Sequence, residues 1–313
     1  MRILVTGGAG FIASHVAEAM LAAGHEVMIL DNLSTGLREQ VPAGAKFVQT
    51  DVTGPDFAAV VKDFRPELID HHAAHADVVE SVKDPASDAR VNVVGTVGMI
   101  KAAVDAGVGK MIFISSGGAI YGEPDRIPCD ETHPARPLSP YAAAKAAGEI
   151  YMETLSRIHG IDYTILRYAN VYGPRQHPYT EEGQVVALFA RFMLEGRRPK
   201  IFGDGEQARD FVYVSDVVDA NMRAIDRGSR EILNIGTGEL VTVNELYAQL
   251  QALTGYPEPA EYAPARPGEV YRQSLDAGRA KDKLGWVPRM PMDEGLRATV
   301  DWIRRTMAPA GAR

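Results

Sequence analysis

Residues 5–14 read VTGGAGFIAS, and they stand between a short apolar run and the start of an amphipathic one. Gly7, Gly10 and Ala13 fall three residues apart. That spacing suits a dinucleotide turn. The first glycine permits the tight turn, the second lets the backbone approach a pyrophosphate, and a small third residue allows close helix–strand packing. The helix opening here would aim free N–H groups and partial positive charge at the phosphates. Asp31 ends the next apolar run, 18 residues beyond Ala13, where a carboxylate can accept from both ribose hydroxyls. A carboxylate there repels a 2′-phosphate, and DNLSTG at 31–36 offers no arginine before Arg38. The pattern predicts NAD rather than NADP.

Working outward, short apolar runs recur and each is followed by a longer amphipathic stretch. Ile3–Val5, Val27–Leu30, Lys46–Gln49, Leu68–Ile69, Met111–Ser115 and Tyr163–Arg167 read as buried strands. Apolar spacing at three and four residues predicts helices over 11–23, 55–64, 87–106 and 140–158. Such alternation implies an α/β fold, a doubly wound parallel sheet with its ligand site at the carboxyl ends of the strands. Residues 1–170 are expected to form this dinucleotide domain. Beyond Arg167 the rhythm loosens into two long loops rich in proline, around 168–183 and 257–270. Helices are expected near 184–195, 215–227, 242–253 and 293–306, with strands near 199–202, 211–214 and 231–235. Residues 171–313 therefore read mainly as a smaller α/β substrate-binding lobe, the chain returning to the first domain near 211–238.

Composition narrows the classes of function. Of 313 residues, 46% are hydrophobic and 24% charged, ordinary for a globular enzyme with a sizeable core. A net charge of −8 argues against nucleic acid as partner, since that needs a basic surface. The single cysteine, Cys129, excludes an internal disulfide and a cysteine-built metal site, and points to a reducing, cytoplasmic compartment. MRILVTGGAG reads as strand and turn rather than signal peptide, and no apolar run approaches the roughly 18 residues a membrane span needs.

Two further stretches carry chemistry. SPYAAAKAAGEIY begins with Ser139 and Pro140 ahead of an alanine-rich helix and puts Tyr141 and Lys145 four apart, on one face. A phenol of pKa about 10 is a poor base at neutral pH. A neighbouring ammonium stabilises the phenolate and lowers that value, and a positive nicotinamide ring would lower it further. In ISSGGAIYG, 114–122, two hydroxyls end an apolar run and two glycines follow. Read alone, this could be a polar strand exit or a pair of serines held for chemistry.

Together these features resemble the extended short-chain dehydrogenase/reductase family, and within it the NAD-dependent sugar-nucleotide epimerases. The resemblance covers nearly the whole chain: TGGAGFI, Asp31-Asn32, HHAAH at 71–75, NVVGT at 92–96, SSGGAIYGE, SPYAAAK, LRYANVYGPRQ, GDGEQARDFVYVSD, NIGTG and ARPGE occur in the family's order. It implies a Rossmann domain binding NAD through Gly7, Gly10, Phe11, Ile12, Asp31, Asn32, Asp51, Val52, Ala73, Ala74, Asn92, Ser115, Tyr141 and Lys145. It implies a UDP-sugar held by Asn170, Arg209 and Arg266, with Glu269 on the uridine ribose; arginine is the natural bidentate ligand of phosphate. The activity implied is epimerisation at C4 through a transient 4-keto sugar, with Tyr141 as base, Lys145 lowering its pKa, and a homodimer formed through helices 87–106 and 140–158. Other sugar-nucleotide epimerases or reductases, acting on a UDP-N-acetylhexosamine or UDP-glucuronate, share the pattern, and a non-catalytic NAD-binding sensor would keep the cradle alone.

The family's loop hydroxyl commonly stands four residues before the loop tyrosine, which here is Gly117. This sequence departs from that spacing, and Ser116 is expected to supply the hydroxyl, with Gly117 and Gly118 letting the loop bulge. Related 4,6-dehydratases place Asp-Glu after that hydroxyl, and related decarboxylases carry an acid there too. Here two glycines follow, and Glu123 reads as a solvated loop acid. Epimerisation needs no further acid.

Overall fold

The computed structural model describes residues 1–176, 185–265 and 270–307. Seven strands form one sheet: β1 (Arg2–Thr6), β2 (Glu26–Asp31), β3 (Lys46–Gln49), β4 (Leu68–His71), β5 (Lys110–Ser116), β6 (Asp162–Tyr168) and a late strand, Glu231–Ile235. Four short strands lie between β6 and that one: β7 (Asn170–Tyr172), β8 (Lys200–Phe202), β9 (Ala208–Arg209) and β10 (Phe211–Tyr213). The late strand is therefore β11, and β12 (Val241–Thr242), β13 (Glu261–Ala263) and β14 (Arg272–Gln273) follow it. The main sheet runs in the order β11-β6-β5-β4-β1-β2-β3, with each neighbour parallel. Ile3, Leu4 and Val5 of β1 are all fully buried, as a central parallel strand covered on both faces requires. The order reverses between β1 and β4, which opens a crevice at their carboxyl ends.

Helices cover both faces. On one, α1 (Phe11–Ala22) and α9 (Val214–Ala224) pack against Ile3, Val5, Ile112 and Ile114. On the other, α2 (Phe57–Phe64), α5 (Thr96–Asp105) and α7 (Pro140–His159) cover Leu4, Ile69, Met111 and Phe113. A third core, built from Tyr172, Phe189, Phe211, Tyr213, Leu246, Leu250 and Val300, joins α8 (Val185–Leu194), α10 (Val243–Thr254) and α12 (Met292–Met307). The expected strands and helices are present, but the return to the first core is longer than the sequence suggests. Leu275, Ala280, Leu284 and Trp286, on and beside α11 (Gly278–Leu284), also join it.

Three local differences bear on the site. Two short helices, α3 (Val78–Lys83) and α4 (Pro85–Ala89), precede α5, and the predicted 87–106 helix carries a π-helical turn at Arg90–Gly95. Apolar spacing cannot register a turn wound one residue wider. Gly117 and Gly118 do not bulge; they begin a helical turn, α6 (Gly117–Ile120), directly after β5. Their use is space rather than unusual backbone. A Cβ on Gly117 would lie 2.6 Å from Leu275 Cδ1 and 3.2 Å from the Arg167 carbonyl oxygen, and one on Gly118 3.2 Å from Asn170 Oδ1.

Candidate active site

The cradle forms where β1 passes into α1. Gly7 has φ +68°, and a Cβ there would lie 2.9 Å from the Ala73 amide nitrogen, so only glycine lets these two backbones meet. Gly10 is the N-cap of α1, and no side chain caps that helix, so the N–H groups of its first turn, from Phe11 and Ile12 on, are not satisfied by a cap. Asp31, almost fully buried, accepts from Ala9 N at 2.9 Å and Leu33 N at 2.7 Å. Each carboxylate oxygen keeps a lone pair for a further donor. Arg38 stacks over the Phe47 ring, 4.2 Å from its centroid, instead of offering its charge beside Asp31. The donor and acceptor set fits a dinucleotide with a free ribose 2′-hydroxyl.

Around the cradle, Asn32 donates to Asp51 Oδ2 at 2.7 Å, and Thr53 donates to Asp51 Oδ1 from its amide and hydroxyl. These bonds hold the Asp51 carboxyl below its ordinary range. Val52 is buried beside Gly95. Ala73 donates its N–H to Thr6 Oγ1, and Ala74 follows in the same segment after β4. Asn92 spends its amide on that segment, pairing with the His75 backbone in both directions at 2.8 Å and donating to Asp88. Its position therefore shapes the cradle wall through His75. Beneath lies His71, bonded to Thr6 Oγ1, its pKa pushed down to about 3 by burial and by the Lys145 charge.

Helix α7 brings up the second group. Ser139 caps it by accepting from Ala142 N, and Pro140 takes the first turn, where its missing N–H costs nothing. Tyr141, Lys145 and Glu149 follow at intervals of four, facing the end of β5. Lys145 is buried and donates to the Ile114 carbonyl at 2.9 Å, with Nζ 6.0 Å from the Tyr141 ring centroid. The Ser116 side chain stands by the half-buried Tyr141 phenol and acts to lower its pKa. Ser115 points the other way and donates to Glu149, which also takes a two-pronged ion pair from Arg167. Of the two serines, Ser116 is the one on the tyrosine.

The expectation that Lys145 brings the Tyr141 pKa down is not met by these side chains alone. Burial pushes the phenol up to about 12; the Ser116 side chain works against this, and the Asp88 carboxylate adds to it. Desolvation of a would-be anion outweighs a cation several ångströms away.

Asn170 opens β7 and rests beside Gly118, and Arg209 ends β9, donating to the Ala208 and Tyr271 carbonyls. Asn170 borders the loop that follows Ser116, and Arg209 lies in register with Gln273, which reaches that loop. Arg266 and Glu269 lie outside the described residues. Glu123 is engaged rather than merely solvated: it accepts from the Tyr271 amide. Gln273 ties the same loop down by donating to the Gly117 carbonyl at 2.8 Å. Sequence spacing gives no sign of Asp88, His75 or Gln273, which reach the site only through tertiary packing. Among the described residues no cluster of histidine, cysteine and carboxylate side chains could hold a metal ion.

A dinucleotide cradle and a Ser–Tyr–Lys set sharing the carboxyl edge of one parallel sheet describe a dinucleotide-dependent enzyme of the short-chain dehydrogenase type. The chain belongs to the NAD dependent epimerase/dehydratase family, whose model matches residues 3–236. It is 44% identical over 310 residues to the UDP-glucose 4-epimerase of Mycolicibacterium smegmatis, covering 97% of this chain and 99% of that protein. Two solved structures share the fold closely. The UDP-glucose 4-epimerase of Thermotoga maritima, with UDP-glucose, has a TM-score of 0.96 and 46% identity, covering 98% of this chain and 100% of that one. The UDP-glucose 4-epimerase of Thermus thermophilus, complexed with NAD, has a TM-score of 0.92 and 43% identity, covering 97% of this chain and 99% of that one.

Proposed function

We propose that this protein interconverts UDP-glucose and UDP-galactose by NAD-dependent epimerisation at C4. The observation that carries the reading is the gathering of Ser116, Tyr141 and Lys145 at the end of β5, with two glycines and no titratable group directly after Ser116. Bound NAD supplies the acceptor that takes the C4 hydride and returns it. Tyr141, as phenolate, takes the proton from the sugar 4-hydroxyl, and Ser116 aligns that hydroxyl with it. Lys145 holds positive charge beside Tyr141 and would hold the nicotinamide ribose. Asn170 and Arg209, with Arg266 and Glu269, keep the nucleotide end anchored while the 4-keto sugar turns over. Water elimination would need an acid beside Ser116, and Gly117 and Gly118 provide none.

The enzyme works as a homodimer in the cytoplasm on this reading. Val82, Val94, Ile150, Tyr151 and Ile158 are exposed apolar side chains on α3, the π-helical turn and α7, a face suited to a second copy. No helix among the described residues is long and apolar enough to cross a membrane.

The test is a side-by-side assay of UDP-galactose, UDP-N-acetylgalactosamine and UDP-glucuronate, with mass spectrometry of the ligand released on denaturation. Conversion of UDP-galactose to UDP-glucose and release of NAD are expected. Preference for either other sugar would reassign the substrate, and release of NADP would overturn the role of Asp31. A protein that binds NAD but gives no absorbance change near 340 nm with any of the sugars would be a sensor rather than an enzyme.

A further inference from the structure

Lys145 carries a positive charge in a buried place. It is 5% exposed, its Nζ donates to the Ile114 carbonyl, and the rings of Phe113 and Tyr141 flank it. A charge taken out of water needs an opposite charge nearby, or it is lost as a proton. Two carboxylates favour its charged form, those of Asp88 and Glu149. Glu149 is already committed, since Arg167 neutralises it through two nitrogens and Ser115 donates to it. Asp88 is placed differently. It sits on α4, which packs against α7, and is completely buried. Its Oδ1 accepts from Asn92 Nδ2 at 2.9 Å, His75 Nδ1 stands 4.0 Å away, and its Oδ2 has no hydrogen-bond partner.

We propose that Asp88 is a positioning residue of the reaction centre, the buried counter-charge that keeps the Lys145 ammonium protonated beside Tyr141. The inference rests on the reading of Tyr141 as base. Asp88 faces His75 from the segment after β4 and acts on Tyr141 and Lys145 of α7; Lys145 also feels Glu149 of α7, which Arg167 of β6 holds, and His71 of β4. Burial pushes Lys145 down to about 8, while Asp88 and then Glu149 push it back up. With Glu149 paired to Arg167, Asp88 is the stronger of the two carboxylates that favour the charged Lys145. The same carboxylate raises Tyr141, so its two effects act on opposite limbs of the pH profile. Tyr141 must be deprotonated to act and sets the acid limb; Lys145 must be protonated and sets the alkaline limb.

Asp88→Asn keeps the shape and can still accept from Asn92, but removes the charge. Both pKa values then fall, and the whole kcat–pH profile of the NAD-loaded enzyme moves to lower pH. A shift on the order of one pH unit is expected for a carboxylate acting on near neighbours, or about a tenfold loss of kcat on the alkaline side. Asp88→Glu should restore most of the profile. Asp88→Ser, also uncharged, carries the same expectation if the Asn variant does not fold. A merely structural role would lower the plateau or the melting temperature without moving either limb, and an unmoved profile in a folded, NAD-loaded variant overturns the proposal. Tyr141→Phe, run alongside, separates the two failures. An active Phe variant overturns the reading of the base, whereas an inactive one with an unmoved Asp88→Asn profile overturns only the role of Asp88.

Discussion

At Tyr141 the protein has buried a phenol that must become an anion, and its own side chains leave the pKa at about 12. The remaining lowering has to come from positive charge brought in by the nicotinamide, which couples the strength of the base to cofactor binding. Tyr141→Phe should leave NAD bound and cut kcat by roughly 10²–10⁴-fold; a coupled galactose-to-glucose assay and the ultraviolet spectrum of the released cofactor measure the two. Gly117→Ser is expected to slow single-turnover NADH formation and lower the melting temperature, because its Cβ would meet Leu275 and the Arg167 carbonyl. A faster variant would show that position 117 wants a hydroxyl. Much of this site can be read from residue types and spacing. The turn at Gly7 and Gly10, the carboxylate at Asp31 and the Tyr141–Lys145 interval follow from local pattern, whereas Ser116 is singled out only through the family's loop spacing, and the bulge expected after it is a helical turn. Asp88 cannot be read that way, since nothing in DPASDAR separates a buried aspartate from a solvated one. Its burial depends on how α4 lies against α7.

Helix α7 shows how much one element can carry. Its inner face presents Tyr141 and Lys145 to the site, then Gly148, where a Cβ would lie 2.6 Å from the Phe113 ring, then Glu149. The close approach at Gly148 sets the depth at which the helix lies on β5. The Glu149–Arg167 pair fixes its position along β6, and Tyr121 continues the chain by accepting from Arg167 and donating to Asn234. Glu149→Ala would leave Arg167 charged, buried and unpaired, a loss of about 3–5 kcal/mol. Glu149→Met combined with Arg167→Met removes both charges and should recover most of that stability; urea denaturation of the two variants decides it. If the double variant is no more stable than the single one, the cost lies in packing rather than in the stranded charge. The helix itself is legible from its cap, its alanines and its apolar spacing. The π-turn at Arg90–Gly95 and the helical turn after Ser116 are not, because neither disturbs the alternation of apolar and polar residues enough to be seen.

For the molecule as a whole, apolar side chains stay exposed on α3, the π-helical turn and α7. Light scattering at micromolar concentration should give the mass of a dimer, and Ile150→Lys with Ile158→Lys should give that of a monomer. A stable wild-type monomer would leave the patch without a second copy to cover it. The doubly wound plan is legible in the sequence because a parallel sheet writes itself as short apolar runs between amphipathic ones. The sequence already brings the chain back to the first domain near 211–238, but the full interleaving is not legible, since Leu275 and Trp286 look like any other late apolar residues. That interleaving has a bearing on how the protein is made. The sheet gains its outermost strand only when Glu231–Ile235 arrives, after the polypeptide has passed through β7 to α9. Until then β6 presents an unpaired edge, and the underside of the sheet lacks Leu275, Leu284 and Trp286. During synthesis the dinucleotide half thus stays unsealed until Trp286 has left the ribosome, and a message cut short anywhere before that leaves a sticky half-sheet rather than a smaller working domain.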